Sequence, residues 1–329
     1  MSAESTASMA ARSNETTLAA SIVVPSRAGA TRLPVLLNAL RAQTEANFEV
    51  VVVLDGDVDG SRAILEAEQS RGELEIVIIE FAENRGRTAA LNAGFERARG
   101  RVYIRCDDDF EPKSDYVERH VAAHLDQSCG VIGVAQNIFG EHADTAYARL
   151  YAKDADAKFH ETAYTTPPES TWKFWAGNVS VDAETYHRIG PYDADYRAYG
   201  WEDVDWGYRL HEAGYPIIID PRLTTPHHLA AVTTHIRARR AYQSAAARHL
   251  FERKHPEAMA DYHLPWSPWN MAVRVIAALP PHVTLAMAQG VDRLLPKVPT
   301  AIGGKLVALV VEGCALGGRW RPGHHDLGI

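Results

Sequence analysis

The chain has 329 residues, 46% of them hydrophobic and 23% charged, with a formal net charge of −8. That length buries a full core and exceeds one simple domain, so a catalytic unit of roughly 250 residues plus an extension is the natural reading. The acidic balance argues against a nucleic-acid partner, which needs a clustered positive surface. Three scattered cysteines without CxxC spacing (Cys106, Cys129, Cys314) argue against a disulfide framework or a zinc site and fit a reducing cytoplasm.

Residues 1–17 are rich in Ser, Ala and Thr and lack an apolar run, which predicts a disordered tail rather than a signal peptide. Ser21 to Val24 reads as a short buried strand ending at Pro25, followed by a helical pattern over 31–43. The continuous apolar run 49–54 is a second strand, closed by Asp55-Gly56-Asp57. A helix over 60–70, a strand over 74–79, a helix over 88–97 and a strand over 102–106 follow, ending at Asp107-Asp108-Asp109. Continuous Val/Ile strands alternating with amphipathic helices predict an α/β fold with a mostly parallel sheet covered on both faces. Ligands bind beyond the carboxyl ends of such strands. The polar residues just after each strand are therefore the candidates: Pro25, Ser26, Arg27, Asp55, Asn84, Arg85 and Asp107 to Asp109.

From Asp115 the pattern is less regular. Helices are expected over 116–125 and 144–159, a strand over 131–136, a Pro-containing loop over 165–169, and then the aromatic-rich Trp172-Lys173-Phe174-Trp175. After Gly177-Asn178 come a short strand and a helix over 183–189. Trp201-Glu202-Asp203 opens a helix to about 213, and a strand over 217–219 leads to Pro226-His227-His228.

Three adjacent carboxylates directly after a buried strand repel one another. They suit a hard divalent ion that completes its shell with phosphate oxygens, against the simpler reading of an acidic helix start. A carboxylate in Glu202-Asp203 is either an N-terminal cap or a general base. Of His227 and His228, either can serve as a nitrogen ligand to a Mn²⁺-like ion.

In combination, these motifs resemble the family 2 glycosyltransferases and their GT-A relatives. The resemblance covers roughly residues 20–255. It is carried by Ser21-Ile22-Val23-Val24-Pro25, by the segments 53–61 and 84–94, by Asp107-Asp108-Asp109 as a DxD motif, by Gly177-Asn178, and by Gly200 to Leu210. It implies a GT-A type, Rossmann-like sheet flanked by helices, and an inverting, metal-dependent enzyme using a nucleotide-diphosphate sugar. On that pattern Pro25, Ser26, Arg27, Asp55, Asn84, Arg85, Arg87, Asp107 and Asp108 would bind the nucleotide sugar, a UDP-sugar being favoured. Asp107, Asp109 and His227 or His228 would hold Mn²⁺ or Mg²⁺. Asp203 would be the catalytic base, and Glu202, Trp201, Trp175, Gly177 and Asn178 would lie towards a glycan, glycolipid or small-molecule acceptor. The usual paired acids read Leu54-Asp55 here, and Asp57 replaces the usual Ser, which bears on base selection.

Three rivals weigh less. No GxGxxG follows the first strand, as a dinucleotide oxidoreductase needs. A glycoside hydrolase needs neither metal nor nucleotide pocket. A non-catalytic nucleotide-sugar or glycan-binding protein on the same fold is opposed by the full complement of carboxylates.

The chain thus divides into a tail (1–17), a catalytic domain (18–255) and a helical C-terminal extension (256–329). Residues 235–254 read as a basic helix. The segments 271–279, 283–295 and 302–315 are apolar or amphipathic, suited to packing, dimerisation or membrane-surface contact. No apolar run reaches the roughly 18 residues of a spanning helix, since Glu312 interrupts the best candidate. The expected location is the cytoplasm, with peripheral contact at the inner face of the membrane left open.

Overall fold

The structure, a computed structural model, describes residues 18–197, 200–259 and 264–321; the expected disordered tail over 1–17 lies outside them. Four parallel strands form first: β1 (Ala20–Ser26), β2 (Phe48–Leu54), β3 (Glu75–Glu80) and β4 (Val102–Cys106). Between them run α1 (Leu33–Arg41), α2 (Ser61–Arg71) and α3 (Arg87–Arg97). Continuous apolar strands bury both faces because side chains alternate. Ile22, Val24, Val50 and Val52 pack on one side against Leu33, Leu36 and Leu40 of α1. Val23, Val51 and Val53 pack on the other against Leu91 and Phe95 of α3.

Beyond β4 the chain forms α4 (Tyr116–Ala123), β5 (Gly130–Ile132), β6 (Ala135–Asn137), α5 (Lys153–Thr165), β7 (Asn178–Asp182), α6 (Ala183–Ile189), α7 (Glu202–Glu212), β8 (Ile217–Ile219) and β9 (Thr225–His227). The seven-stranded sheet runs β3-β2-β1-β4-β7-β5-β8, with β7 antiparallel to both β4 and β5. The single strand expected over 131–136 is two. At Gly133 an added Cβ would meet Asn178 Nδ2 at 2.2 Å and Leu223 O at 2.5 Å, so the chain passes where no side chain fits. It then leaves the main sheet, and β6 pairs with β9 in a separate two-stranded ladder. The helix expected over 144–159 starts instead with a π-turn at Ala148–Ala152 and continues as α5 to Thr165.

Four C-terminal helices follow: α8 (Thr234–Lys254), α9 (Pro268–Ala278), α10 (Pro281–Leu294) and α11 (Thr300–Trp320). Of these, α8, α10 and α11 share a core of Ala238, Tyr242, Leu285, Ala288, Val307, Val310 and Cys314 with Tyr147. The helix α11 does not stop at Glu312, whose carboxylate accepts from Trp269 Nε1 at 2.7 Å. By length and composition α11 is long and apolar enough to cross a membrane, and 44% of that window is buried within the protein. Glycines allow the close packing: a Cβ at Gly318 would meet Tyr242 O at 2.1 Å, and one at Gly313 would meet Ile276 at 2.4 Å.

Candidate functional site

The carboxyl ends of β1, β2 and β4 bring the predicted donor residues together. Pro25 lies within β1, paired with Val53, and Ser26 ends the strand beside Leu54. The Ser26 hydroxyl donates to Asp108 Oδ2 at 2.5 Å. Asp108 also receives a two-pronged bond from Arg32, Nε to Oδ1 at 2.9 Å and Nη2 to Oδ2 at 2.8 Å. The middle acid of the triplet thus ties the loop after β1 to the end of β4. Arg32 is its counter-ion, a residue no sequence motif singles out.

The Asp55 carboxylate accepts from the backbone N–H groups of Arg85 (2.6 Å) and Gly86 (2.9 Å), while Arg27 Nη1 donates to Asp55 O at 2.6 Å. Asn84 Oδ1 accepts from the Gly86 N–H at 3.0 Å, closing the turn locally. The Arg85 guanidinium stacks on Phe81, 4.4 Å from the ring centroid. Arg87 opens α3, with Nη1 3.7 Å from Glu202 Oε1. It links the start of α3 to the 202–203 pair.

Arg105 occupies the centre of the site, fully buried near the end of strand β4. Its Nε donates to Asp107 Oδ1 at 3.0 Å, and its Nη1 donates to Asp203 Oδ1. Burial would lower its pKa, but Asp107 and Asp203 outweigh that and hold it well above the ordinary arginine value. Gly177 makes room for this arrangement: a Cβ there would lie 2.5 Å from Asp107 Oδ2. The Asp107 N–H donates to Gly177 O at 3.0 Å.

Asp203 and Glu202 begin α7. Burial, working against the nearby Arg105 and Arg87, raises the Asp203 pKa. Burial and then the Asp203 charge raise Glu202 to about 7. Glu202 Oε2 is buried without a hydrogen-bond partner. Trp201, just before the pair, has φ +72°, a left-handed conformation uncommon outside glycine that stores strain of order 1–3 kcal/mol and clusters at functional sites. Its ring packs against Phe251 at 5.1 Å.

Asp109 faces β9. Its Oδ2 lies 3.2 Å from His227 Nε2, and its Oδ1 is buried with no partner. Backbone bonds from His228 N to Asp109 O and from Glu111 N to Pro226 O clamp the two segments. His227 Nδ1 lies 2.8 Å from Asn137 Oδ1. An amide oxygen only accepts, so Nδ1 donates to it and the ring is held with Nε2 directed at Asp109. A carboxylate with one unsatisfied oxygen, next to an imidazole oriented by a second residue, fits a divalent ion that takes its remaining ligands from phosphate and water. Among the described residues, no group of three His, Cys, Asp or Glu side chains converges on one metal position. The fit is therefore to two protein ligands.

Four of the expected site residues have partners within the fold. The Asp107 carboxylate is held by Arg105. His228 points away, with Nε2 2.7 Å from Glu111 Oε2. Trp175 is core, 2% exposed, stacked on Trp206 at 5.0 Å, with its Nε1 donating to Tyr192. Asn178, also 2% exposed, donates to Leu223 O (2.9 Å) and Thr225 Oγ1 (3.0 Å) and accepts from Tyr116 (3.0 Å), so its side chain is used up within the fold.

The family model described as "Glycosyl transferase family 2" matches residues 21–186, half of the chain. A second, described as "N-terminal domain of galactosyltransferase", matches residues 157–232. Validoxylamine A glucosyltransferase of Streptomyces hygroscopicus is 26% identical over 288 residues, 77% of this chain and 64% of that protein. The match thus spans less than two thirds of that relative's length. Undecaprenyl-phosphate 4-deoxy-4-formamido-L-arabinose transferase of Pseudomonas fluorescens is 35% identical over 136 residues, 40% of this chain and 39% of that protein. Among solved structures, the mannosyltransferase PcManGT of Pyrobaculum calidifontis, in complex with GDP-Man and Mn²⁺, has TM-score 0.58 at 19% identity, covering 91% of this chain and 86% of that one. TarS of S. aureus in complex with UDP has TM-score 0.51 at 15% identity, covering 93% and 92%. These likenesses show a GT-A type fold.

Proposed function

We propose that this chain, which belongs to glycosyl transferase family 2, moves a sugar from a nucleotide-diphosphate donor to an acceptor hydroxyl in a single inverting displacement. The observation that carries the reading is one constellation at the strand ends: Asp109 beside His227, and Asp203 held by Arg105. The relatives whose names or complexes include GDP-Man, UDP and Mn²⁺ support the donor class; a UDP-sugar is favoured.

Asp109 and His227 would hold a Mn²⁺ or Mg²⁺ ion, which would supply positive charge against the leaving diphosphate. The chain's own residues do the rest. Asp203 accepts the acceptor hydroxyl proton as the oxygen bonds to the anomeric carbon; the bond from that carbon to the phosphate oxygen breaks, and its electron pair leaves with the nucleoside diphosphate. Arg105 fixes the Asp203 carboxylate on the acceptor side, so only a small reorganisation separates the resting and reacting geometries. Glu202 and Trp201 border the acceptor. Asp55, Asp108 and Arg87 shape the donor side, Asp55 and Asp108 through the loops they tie down. We take 18–255 as the catalytic unit and 256–329 as its extension. The three free, buried cysteines suit a cytoplasmic setting.

The test is slow donor hydrolysis, which needs no acceptor. UDP-glucose, UDP-N-acetylglucosamine and GDP-mannose are incubated with Mn²⁺, and the released sugar's anomer is read by NMR. Inverted sugar from one donor, lost in Asp109→Ala, supports the reading. Retained configuration, or no donor turned over and none bound, contradicts it.

A further inference from the structure

A cleft of about 550 Å³ opens beside the site, between the π-turn with α5 on one side and α8 on the other. It is contiguous with the chemistry, since both Trp201 and His227 line it. Its floor is made of small residues, among them Ala152, Ala241 and Ala245. Its walls are aromatic: Tyr151, Phe159 and Trp201. Phe159 is 47% exposed, an apolar ring held open to the cleft rather than packed in the core. The π-turn that sets Tyr151 in this wall is a rare backbone form, found often at functional sites.

The charge of the cleft runs against that of the chain. Arg237, Arg240 and Arg248 line it, spaced so that one face of α8 carries all three, and Asp156 is the acid among its lining residues. Asp156 is already bonded to Asn137, the residue that orients His227. Arg248 donates to Glu252 at 2.8 Å and lies 5.4 Å from the Trp201 ring. Arg240 anchors one nitrogen on Leu229 O at 3.0 Å, while Arg237 is exposed. In a protein of net charge −8, a pair of guanidinium groups at the mouth of an aromatic cleft is an anion-recognition arrangement.

Resting on the function proposed above, we propose that this cleft is the acceptor subsite and that the acceptor carries an anionic group, phosphoryl or carboxylate, bound by Arg237 and Arg240 while its ring stacks on the aromatic wall. The same anion chemistry exists in the donor's diphosphate, so the test must separate the two.

Sulfate and acetate serve as probes, titrated at constant ionic strength against chloride. The readout is thermal stability of the wild type, Arg237→Ala and the Arg237→Ala/Arg240→Ala pair, each with and without UDP or GDP plus Mn²⁺. The expected result is a saturable sulfate or acetate shift that persists with nucleotide bound; sulfate favours a phosphoryl acceptor and acetate a carboxylate. That shift weakens about tenfold or more in apparent affinity in the paired variant, while the nucleotide shift stays unchanged. Arg237→Ala, an exposed site, keeps the readout if the pair misfolds. The proposal is overturned if neither anion gives a saturable shift, if the variants leave it unchanged, or if they weaken nucleotide binding equally, which would assign the arginines to the donor. Absence of any nucleotide shift in the wild type sinks the donor reading separately, because the anion arm is also run without nucleotide.

Discussion

Arg105 and Asp203 are joined by a buried ion pair that links β4 to α7, two elements nearly a hundred residues apart in the chain. The pair is shared, because the same guanidinium also holds Asp107. A lone buried charge is costly, and removing one partner of such a pair costs about 3–5 kcal/mol. Arg105→Met should therefore destabilise the fold by several degrees and lower kcat strongly. Arg105→Lys, which keeps the charge but loses the fork, should restore most of the stability and little of kcat. Thermal melts alongside steady-state kinetics separate the two effects. Equal rescue of both would assign Arg105 to structure alone.

Gly177→Ala probes the same arrangement from the other side. Gly177 has an ordinary φ, so its backbone tolerates alanine; the obstacle is the Asp107 carboxylate at 2.5 Å. The expected outcome is a displaced Asp107 and a loss in kcat of about tenfold or more, with nucleotide affinity changed less. In a double-mutant cycle with Asp107→Ala the two losses should fail to add, since the second change removes what the first displaces.

The first half of the fold was legible in the sequence because runs such as Val50 to Leu54 are apolar at every position, which only a two-faced buried strand requires. The split of β5 from β6 was not, since it depends on Gly133 passing close to Asn178 and Leu223, a contact between distant segments. The acids at the strand ends were legible; the choice between His227 and His228 was not. Neighbouring residues at the end of a strand point to opposite sides, so only the pairing of β9 with β6 decides which one meets Asp109. Trp175 is buried against Trp206, and an aromatic beside a motif reads alike whether it lines a site or fills a core. Arg105 carries a signal of its own: a lone arginine between Ile104 and Cys106 in a buried strand needs buried acidic partners.

His227→Ala and His228→Ala should therefore behave differently. His227→Ala should weaken Mn²⁺-dependent nucleotide binding by about tenfold or more, while His228→Ala, whose ring lies on Glu111, should leave it near the wild-type value. Calorimetry of nucleotide binding with and without Mn²⁺ checks this. A larger loss in His228→Ala would reverse the ligand assignment.

On the proposed mechanism the Glu202–Asp203 pair should set the acid limb of activity. Both carboxyls are raised by burial, Glu202 to about 7. A base must be deprotonated to act, and burial raises Asp203, so the acid limb of kcat/KM should lie above the range of an ordinary carboxylate. Glu202→Gln removes the neighbouring charge and should move that limb to lower pH. A limb unchanged by the substitution would detach it from this pair.

Acid stability has a separate source. Asn178 Oδ1 accepts from His120 Nε2, so the Ser180 hydroxyl donates to His120 Nδ1 and accepts from His124 Nε2, each at 2.8 Å. Both rings are thereby fixed neutral, and burial pushes His120 down to about 3 and His124 to about 4. The unfolded chain, with ordinary histidines near 6.5, binds more protons between those values, so stability is full above about pH 6.5 and falls as pH drops towards 3–4. The slope reaches about 2.7 kcal/mol per pH unit while both titrate. His124→Gln should flatten this limb in denaturant titrations across pH 4–7.

The most direct measurement of the central claim is calorimetric binding of UDP and GDP, with and without Mn²⁺, to the wild type, Asp109→Ala and Asp203→Asn, paired with donor turnover. A nucleotide at 100 times its Kd adds about 2.7 kcal/mol of stability, so a melt gives the same answer where heats are small. The account predicts Mn²⁺-dependent binding of one nucleotide, lost in Asp109→Ala and kept in Asp203→Asn, with turnover lost in both. Metal-independent binding untouched by Asp109→Ala, or full turnover in Asp203→Asn, would contradict it.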